Sequence, residues 1–473
     1  MIRRRPVILL IVVLVLPLLA ACGNSGGGQP TANSTQESLA AQGGQTTPPA
    51  QTGQETPAQG SAGAQNAGSV TMLSTQFAPV EEAEKMRNTI LAGFSGKVNF
   101  TPMDAGQMTD RVTAAANAGG QSDIGLLGGL HGDFAVMAEK GQLEDLTPLL
   151  NDLKDRGFPE DFLKLSQYGN EGKHYYVPWI QASYIMAANK QALQYLPQGA
   201  DVNKLTYEQL TEWGRRLEKE TGQRRIGLPA GPEGLIHRFF QGYLYPSYTN
   251  SAGVVKFKSP EAVKMWNQFT ELWSVTNPQS TNYGFMQEPL LSEEVWVAWD
   301  HAARLIDAVQ QRPDDFVLFP APVGPEGRGY MPVIAGLAIP KNAANRQGAE
   351  QLIQYLTAPE QQTATLKELT FFPATNVKAP GDLPQAVQKE SEAVQAQANS
   401  ENAITSLLPV GLGEQGGAYN KVYIDTFRAI VLNQEPVEQV LNQQAQTLQG
   451  IMNQTQAGCW PPDPPSDGPC QVK

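Results

Sequence analysis

The 473-residue chain has room for about three domains of roughly 150 residues, or for two large lobes with extensions, and this excludes a single small module. Hydrophobic residues at 41% allow a sizeable core, while 45 glycines and 35 prolines point to length that does not pack. With 34 basic residues against 46 acids the formal charge is −12, which makes nucleic acid a poor partner for this surface.

The chain opens with Arg3, Arg4 and Arg5, an apolar run from Val7 to Leu16, and small residues at Ala20 and Ala21. That order is an export signal over residues 1–21. The run is shorter than the about 20 apolar residues of a spanning helix, so it reads as a leader and not as a permanent anchor. Leu19-Ala20-Ala21-Cys22 resembles the bacterial lipobox, which implies that Cys22 is diacylated and becomes the mature N-terminus. Residues 23–69 then hold no aromatic and only two charges, Glu37 and Glu55. Too little apolar area is present to offset ordering, so 22–69 is read as the lipidated cysteine and a disordered linker, with a reach of roughly 40 Å.

Alternating strand and helix signals begin at Val70. The pattern predicts strands over Val70 to Ser74, Lys97 to Thr101 and Asp123 to Leu127, with helices over Val80 to Gly93 and Thr109 to Ala118 between them. Such alternation calls for an α/β fold with parallel strands and helices on both faces. Farther along, Thr206 with Gln209 forms a capping box ahead of Leu210, Trp213 and Leu217, and Gly222 stops that helix. Ser259-Pro260-Glu261 starts another helix, with Trp266 and Trp273 on its apolar stripe. Leu352, Ile353 and Leu356 share one face of a third.

Cys459 and Cys470 flank ten proline-rich residues in a tail taken as 458–473. Outside the cytoplasm they could pair, restricting the unfolded tail by roughly 3 kcal/mol. Their spacing alone does not show that the sulfurs meet, and it lacks the CxxC form of a redox or zinc site.

The ordered landmarks resemble the extracellular solute-binding proteins of ABC importers, in particular the maltose-binding-like class. They are Gly141-Gln142-Leu143-Glu144-Asp145-Leu146-Thr147, Gly172-Lys173-His174-Tyr175-Tyr176-Val177-Pro178, Asn189-Lys190, Thr206-Tyr207-Glu208-Gln209, Ser259 to Ala262, Pro322 to Gly327, and Gly336-Leu337-Ala338-Ile339-Pro340-Lys341. The resemblance implies a type II periplasmic-binding fold: two lobes, each a mainly parallel sheet flanked by helices, joined by a hinge around a cleft. By that analogy lobe 1 is 70–178 plus 320–373 and lobe 2 is 179–319 plus 374–457. Hinge closure on a solute is the implied mechanism.

A sugar offers hydroxyl edges and apolar faces, so rings and paired donors and acceptors are sought. By position the resemblance nominates Trp179, as a stacking ring or else a buried hinge wedge. Trp299 and Asp300 lie where the family carries a Gly-Ser-Trp or Gly-Pro-Trp turn, from which Ala298-Trp299-Asp300-His301 departs. Glu233 and His237 occupy a loop that reaches solute in the family, with a solvated acid as the other reading of Glu233. Tyr330 and Gly336 fall in the loop and strand where similar receptors line the cleft, and Phe372 and Tyr419 are further candidates, with core packing as their alternative. Gln76, at the tip of the first strand, is where this fold presents a polar group.

The function implied is a lipid-anchored, extracytoplasmic receptor that hands a mono- or oligosaccharide to permease subunits, works as a monomer, and carries no cofactor or metal. A same-fold receptor for a polyamine or metal complex is the alternative. The histidines at 131, 174, 237 and 301 are scattered without HExxH or a phosphate loop, so no enzyme is expected. A glycosidase, needing only two carboxylates about 5 to 10 Å apart, is the class that spacing alone leaves open.

Overall fold

A computed structural model describes residues 67–168, 172–377 and 381–473. The leader, Cys22 and the linker through residue 66 lie outside them. The principal elements run β1 (Ser69–Ser74), α1 (Val80–Lys85), β2 (Lys97–Pro102), α2 (Ala105–Ala118), β3 (Ile124–Leu130), α3 (His131–Glu139), β4 (Val177–Ala182), β5 (Tyr184–Asn189), α4 (Tyr207–Thr221), β6 (Ile226–Gly227), α5 (Pro260–Ser274), β7 (Val297–His301), β8 (Phe316–Phe319), β9 (Arg328–Tyr330), β10 (Val333–Ala338), α6 (Arg346–Leu356), β11 (Phe372–Pro373), α7 (Gln385–Ala398), β12 (Ala403–Thr405), α8 (Gly416–Phe427) and α9 (Val437–Thr455).

Two sheets organise this chain. The first has the order β11-β4-β10-β3-β1-β2, with β1 to β4 pointing one way and β10 and β11 the other. Successive side chains on a strand face opposite sides, and here Met72 and Leu126 join α6 residues Leu352, Ile353 and Leu356 in one core layer. Leu73 and Leu127 join Met108, Val112, Phe134 and Met137 of α2 and α3 in another. Because both faces are covered, β3 is almost uniformly apolar.

The second sheet, β6-β7-β5-β8, follows the same logic, with β5 antiparallel to both neighbours. Met186, Ala188 and Trp299 face the large core that includes Trp213 and Trp266, while Ile185, Ala187 and Ala298 face a smaller one. The expected punctuation is in place. Thr206 Oγ1 accepts from Gln209 N while Gln209 Oε1 accepts from Thr206 N, Gly222 ends α4 at φ 72°, and Ser259 caps α5. Among the described residues no helix is long and apolar enough to cross a membrane.

The chain passes between the sheets three times. The first passage is one residue, Ser183, between β4 and β5. The sequence resemblance puts it after Pro178, but β4 continues to pair with β10 and β11 through Ala182, so Trp179 belongs to the first sheet. The second passage spans residues 320–332 and carries β9, which pairs with β12; the third runs from β11 to α7. Buried Gln397 of α7 ties the first two together. Its Nε2 donates to Ser183 Oγ (3.1 Å) and Tyr184 O (2.9 Å), and its Oε1 accepts from Ala321 N at 2.9 Å.

The proline-rich C-terminal tail, residues 458–473, packs on the rest of the chain. Cys459 and Cys470 are joined, with Cα atoms 4.7 Å apart, and Trp460, Asp463 and Cys470 are buried. Prolines remove backbone donors, but the side chains here are apolar enough to enter the large core beside Leu407, Leu412 and Tyr419.

Candidate functional site

A cavity of about 510 Å³ opens between the two sheets' layers, walled by α2 and the start of α3 on one side and by Arg238, residues 408–413 and the start of α8 on the other. Helix α2 splits cleanly by periodicity. Ala105, Thr109 and Thr113, four residues apart, line the cavity, while Met108 and Val112 are buried against the sheet. Asp104 caps this helix by accepting from Gln107 N at 2.8 Å.

The charged groups sit on opposite walls. Asp133 Oδ2 accepts from Thr75 Oγ1 (2.7 Å) and Leu130 N (2.8 Å). Burial pushes its carboxyl above the usual range, and these two donors oppose the rise. Across from it, Arg238 Nη1 donates to Gln241 Oε1 at 2.9 Å, and Gln241 Nε2 donates to Asn420 Oδ1 at 3.1 Å. Burial lowers the guanidinium's pKa, with Tyr184 and Tyr419 opposing, and among the described residues Arg238 makes no ion pair. Thr113 Oγ1 is buried without a hydrogen-bond partner and belongs to a cavity-lining residue. Asp110 and Lys140 also line the space, and no aromatic side chain is among the lining residues described.

The residues nominated from sequence are placed elsewhere. Trp179 is buried in the first core, edge-on to Phe77 at 5.5 Å. Trp299 is buried in the second, stacked on Tyr184 at 5.0 Å and 7°. Both indole Nε1 atoms lack a partner. Asp300 is buried, pushed up to about 7 chiefly by that burial, and accepts from Met286 N (3.0 Å) and His301 N (2.7 Å). His237 is buried with Nδ1 unpartnered, and burial, reinforced by Arg238 and Arg304, lowers it to about 3. Glu233 is exposed, and its carbonyl accepts from Arg304. Tyr330 Oη accepts from Thr405 Oγ1 at 2.9 Å. Gly336 leaves room for Tyr176, whose Cδ2 would lie 2.1 Å from an added Cβ. Phe372 packs with Leu366 and Val387. Tyr419 is buried, sharing a 2.8 Å hydroxyl contact with Tyr423. Gln76 is half-buried beside the site, its Nε2 donating at 3.0 Å to the same Thr75 hydroxyl that binds Asp133.

Two of these nominations fall one residue away from the cavity: His237 precedes Arg238, and Tyr419 precedes Asn420. Neighbours on a helix point about 100° apart, so each pair puts its ring in the core and its polar partner on the wall. A basic residue within Leu235-Ile236-His237-Arg238-Phe239-Phe240 was the available signal for Arg238, because an ion in an apolar run needs a polar destination.

Two further histidines, His174 and His131, pack against neighbouring side chains. His174 Nδ1 lies 2.6 Å from Ser166 Oγ, but that hydroxyl donates to Leu163 O at 2.7 Å and Ser166 is buried. Its proton is engaged by the backbone, the reverse of an activated nucleophile. His131 is buried, stacked on Tyr168 at 4.4 Å. Among the described residues no group of three or more His, Cys, Asp or Glu is placed to hold a metal.

Residues 80–363 match the family model described as bacterial extracellular solute-binding protein. No curated protein sequence matches the chain. Solved structures share the fold. Maltose-bound MalE3 of T. maritima aligns at TM-score 0.63 and 19% identity, over 81% of this chain and 100% of that one. The sugar-binding protein MalE of Xanthomonas citri aligns at 0.65 and 14%, over 81% and 97%. UgpB of Mycobacterium tuberculosis, in complex with glycerophosphocholine, aligns at 0.61 and 18%, over 81% and 98%.

Proposed function

Since this chain belongs to the bacterial extracellular solute-binding protein family, we propose that it is the receptor subunit of an ABC importer, anchored through Cys22, which captures a mono- or short oligosaccharide by closing two lobes. The observation that carries this reading is the cavity itself, walled from both lobes by groups that suit hydroxyls. Asp133 accepts, Arg238 and Asn420 donate, and the Thr113 hydroxyl has no other partner. Its volume of about 510 Å³ falls within the roughly 300–1,000 Å³ of small-molecule sites. A solute bridging Asp133 and Arg238 favours the closed form because only there does it touch both. Capture and release need no bond to be made or broken.

The absence of a ring among the described lining residues, together with charges of both signs, favours a second reading: a small polar solute that carries its own charge, as glycerophosphocholine does in UgpB. One thermal-shift panel separates the two. At a hundred times Kd a ligand of the folded form adds about 2.7 kcal/mol, so the cognate class raises the midpoint by several degrees. A shift with sugars alone supports the first reading. A shift with glycerophosphocholine alone replaces it with the second, and release of product from aryl glycosides would overturn both.

A further inference from the structure

The cavity's second wall includes residues 408–413, reached through Ser406, whose Oγ donates to Gln241 O at 3.0 Å, and Leu407, which with Leu412 is buried in the large core; the C-terminal segment lies behind this stretch. Leu407 N donates to Pro461 O at 3.2 Å, and Gly411, at φ 72°, passes so close to Ala457 that an added Cβ would stand 3.3 Å from that methyl. Trp460 packs edge-on against Tyr419 at 5.7 Å, and the next residue, Asn420, lines the cavity. The segment is itself held to the second lobe. Asp463 Oδ2 accepts from Ser251 Oγ and Ala252 N, both at 2.9 Å, Val472 N donates to Gln449 Oε1 at 2.8 Å, and Lys473 N donates to Val255 O at 2.8 Å. The Cys459–Cys470 bond closes the loop that carries Trp460, Pro461 and Asp463.

We propose that the disulfide-closed C-terminal segment is a positioning device for the solute site: it braces residues 406–413 and the first turn of α8 so that Asn420 and the loop complete the cavity wall. The bond does this by holding Pro461 and Trp460 at the loop while Asp463 grips Ser251 and Ala252 below. A brace of this kind sets affinity through the second wall and leaves the first wall, with Asp133, untouched. The proposal rests on reading the cavity as the solute site, but the bracing is testable without any solute.

Hydrogen–deuterium exchange on the intact wild-type protein, oxidised and then reduced with a phosphine, gives the first readout, and Cys459→Ser/Cys470→Ser gives the same comparison without reductant. Freeing an eleven-residue crosslink raises local opening on the order of tenfold to a hundredfold. Amides of 406–416 are expected to exchange faster by that factor, with β1, β3 and α5 unchanged. No change at 406–416 overturns the proposal, and so does a uniform loss of protection across the second lobe, which marks a general staple. The second readout is maltotriose binding by calorimetry, expected to weaken about tenfold or more on reduction and to recover on reoxidation; equal affinity in both redox states overturns the brace. If oxidised protein does not bind maltotriose, that sugar reading fails, and the exchange pattern alone decides the brace.

Discussion

Replacing Gln397 by Leu removes the polar head that joins two passages between the sheets while keeping most of the side-chain volume. Its two amide protons are used on Ser183 Oγ and Tyr184 O, and its oxygen on Ala321 N, all inside protein. Ser183 Oγ keeps distant contacts to Tyr243 and Met331 at 3.5 Å, but the Ala321 N–H loses its side-chain acceptor and the Tyr184 carbonyl keeps only Tyr243 Oη, at 2.9 Å. An orphaned buried group costs about 1–3 kcal/mol, and a net hydrogen bond about 1. The variant is therefore expected to lose about 2–4 kcal/mol in urea unfolding. Exposed Ala396 on the same helix, changed to Gln, stays within about 0.5 kcal/mol. Because the lost bonds join the passages, solute affinity is expected to change as well, through the balance of open and closed forms. A loss below about 0.5 kcal/mol for Gln397→Leu would show that Gln397 does not tie the crossings.

Gly336→Ala forces a Cβ to 2.1 Å from buried Tyr176, so a cost of about 1–3 kcal/mol or more is expected by thermal unfolding; a neutral result refutes the packing account. Arg238→Met and Asp133→Asn are each expected to weaken binding of the cognate solute about tenfold to a hundredfold, the range of a charge-assisted hydrogen bond, and full affinity in calorimetry would remove them from the site. Glu390 is buried, both its oxygens lack partners, and burial raises its pKa well above 4.5. Its folded form therefore holds a proton that the unfolded chain releases above 4.5, so its contribution is present at lower pH and lost as pH rises through the folded pKa. Glu390→Gln should flatten the fall in urea midpoint between pH 5 and pH 8, and an identical slope in both proteins refutes this.

Local patterns carried much of the fold. The capping box at Thr206 and the strand spacing of β1 to β3 are written in neighbouring residues, and the structure reproduces them. Helix α2 starts at Ala105 and not Thr109 because Asp104 caps it, a signal present but overshadowed by Gly106. The crossing at Ser183 was hidden because β4 and β5 form one apolar run, and only pairing with β10 and β11 divides it. The site was less legible for the same reason. Trp179, Trp299 and Tyr419 are the kinds of ring that bind sugars, yet each is also what a core of this size needs. Which face of a helix turns inward is decided by partners distant in sequence, as at Arg238 and Asn420. The packing of the proline-rich end was not legible because its anchor, Asp463, only makes sense once Ser251 and Ala252 stand beside it.

The passage at Ser183 has a bearing on how this architecture tolerates change. Strand side chains alternate with a period of two, and one intervening residue locks the phase of β5 to that of β4. Lengthening the link by a single residue would turn β5 over, sending Met186 and Ala188 to the small core and Ile185 and Ala187 to the large one. Growth in loop length is therefore closed here, which makes this serine a fixed reference mark for the phase of both strands.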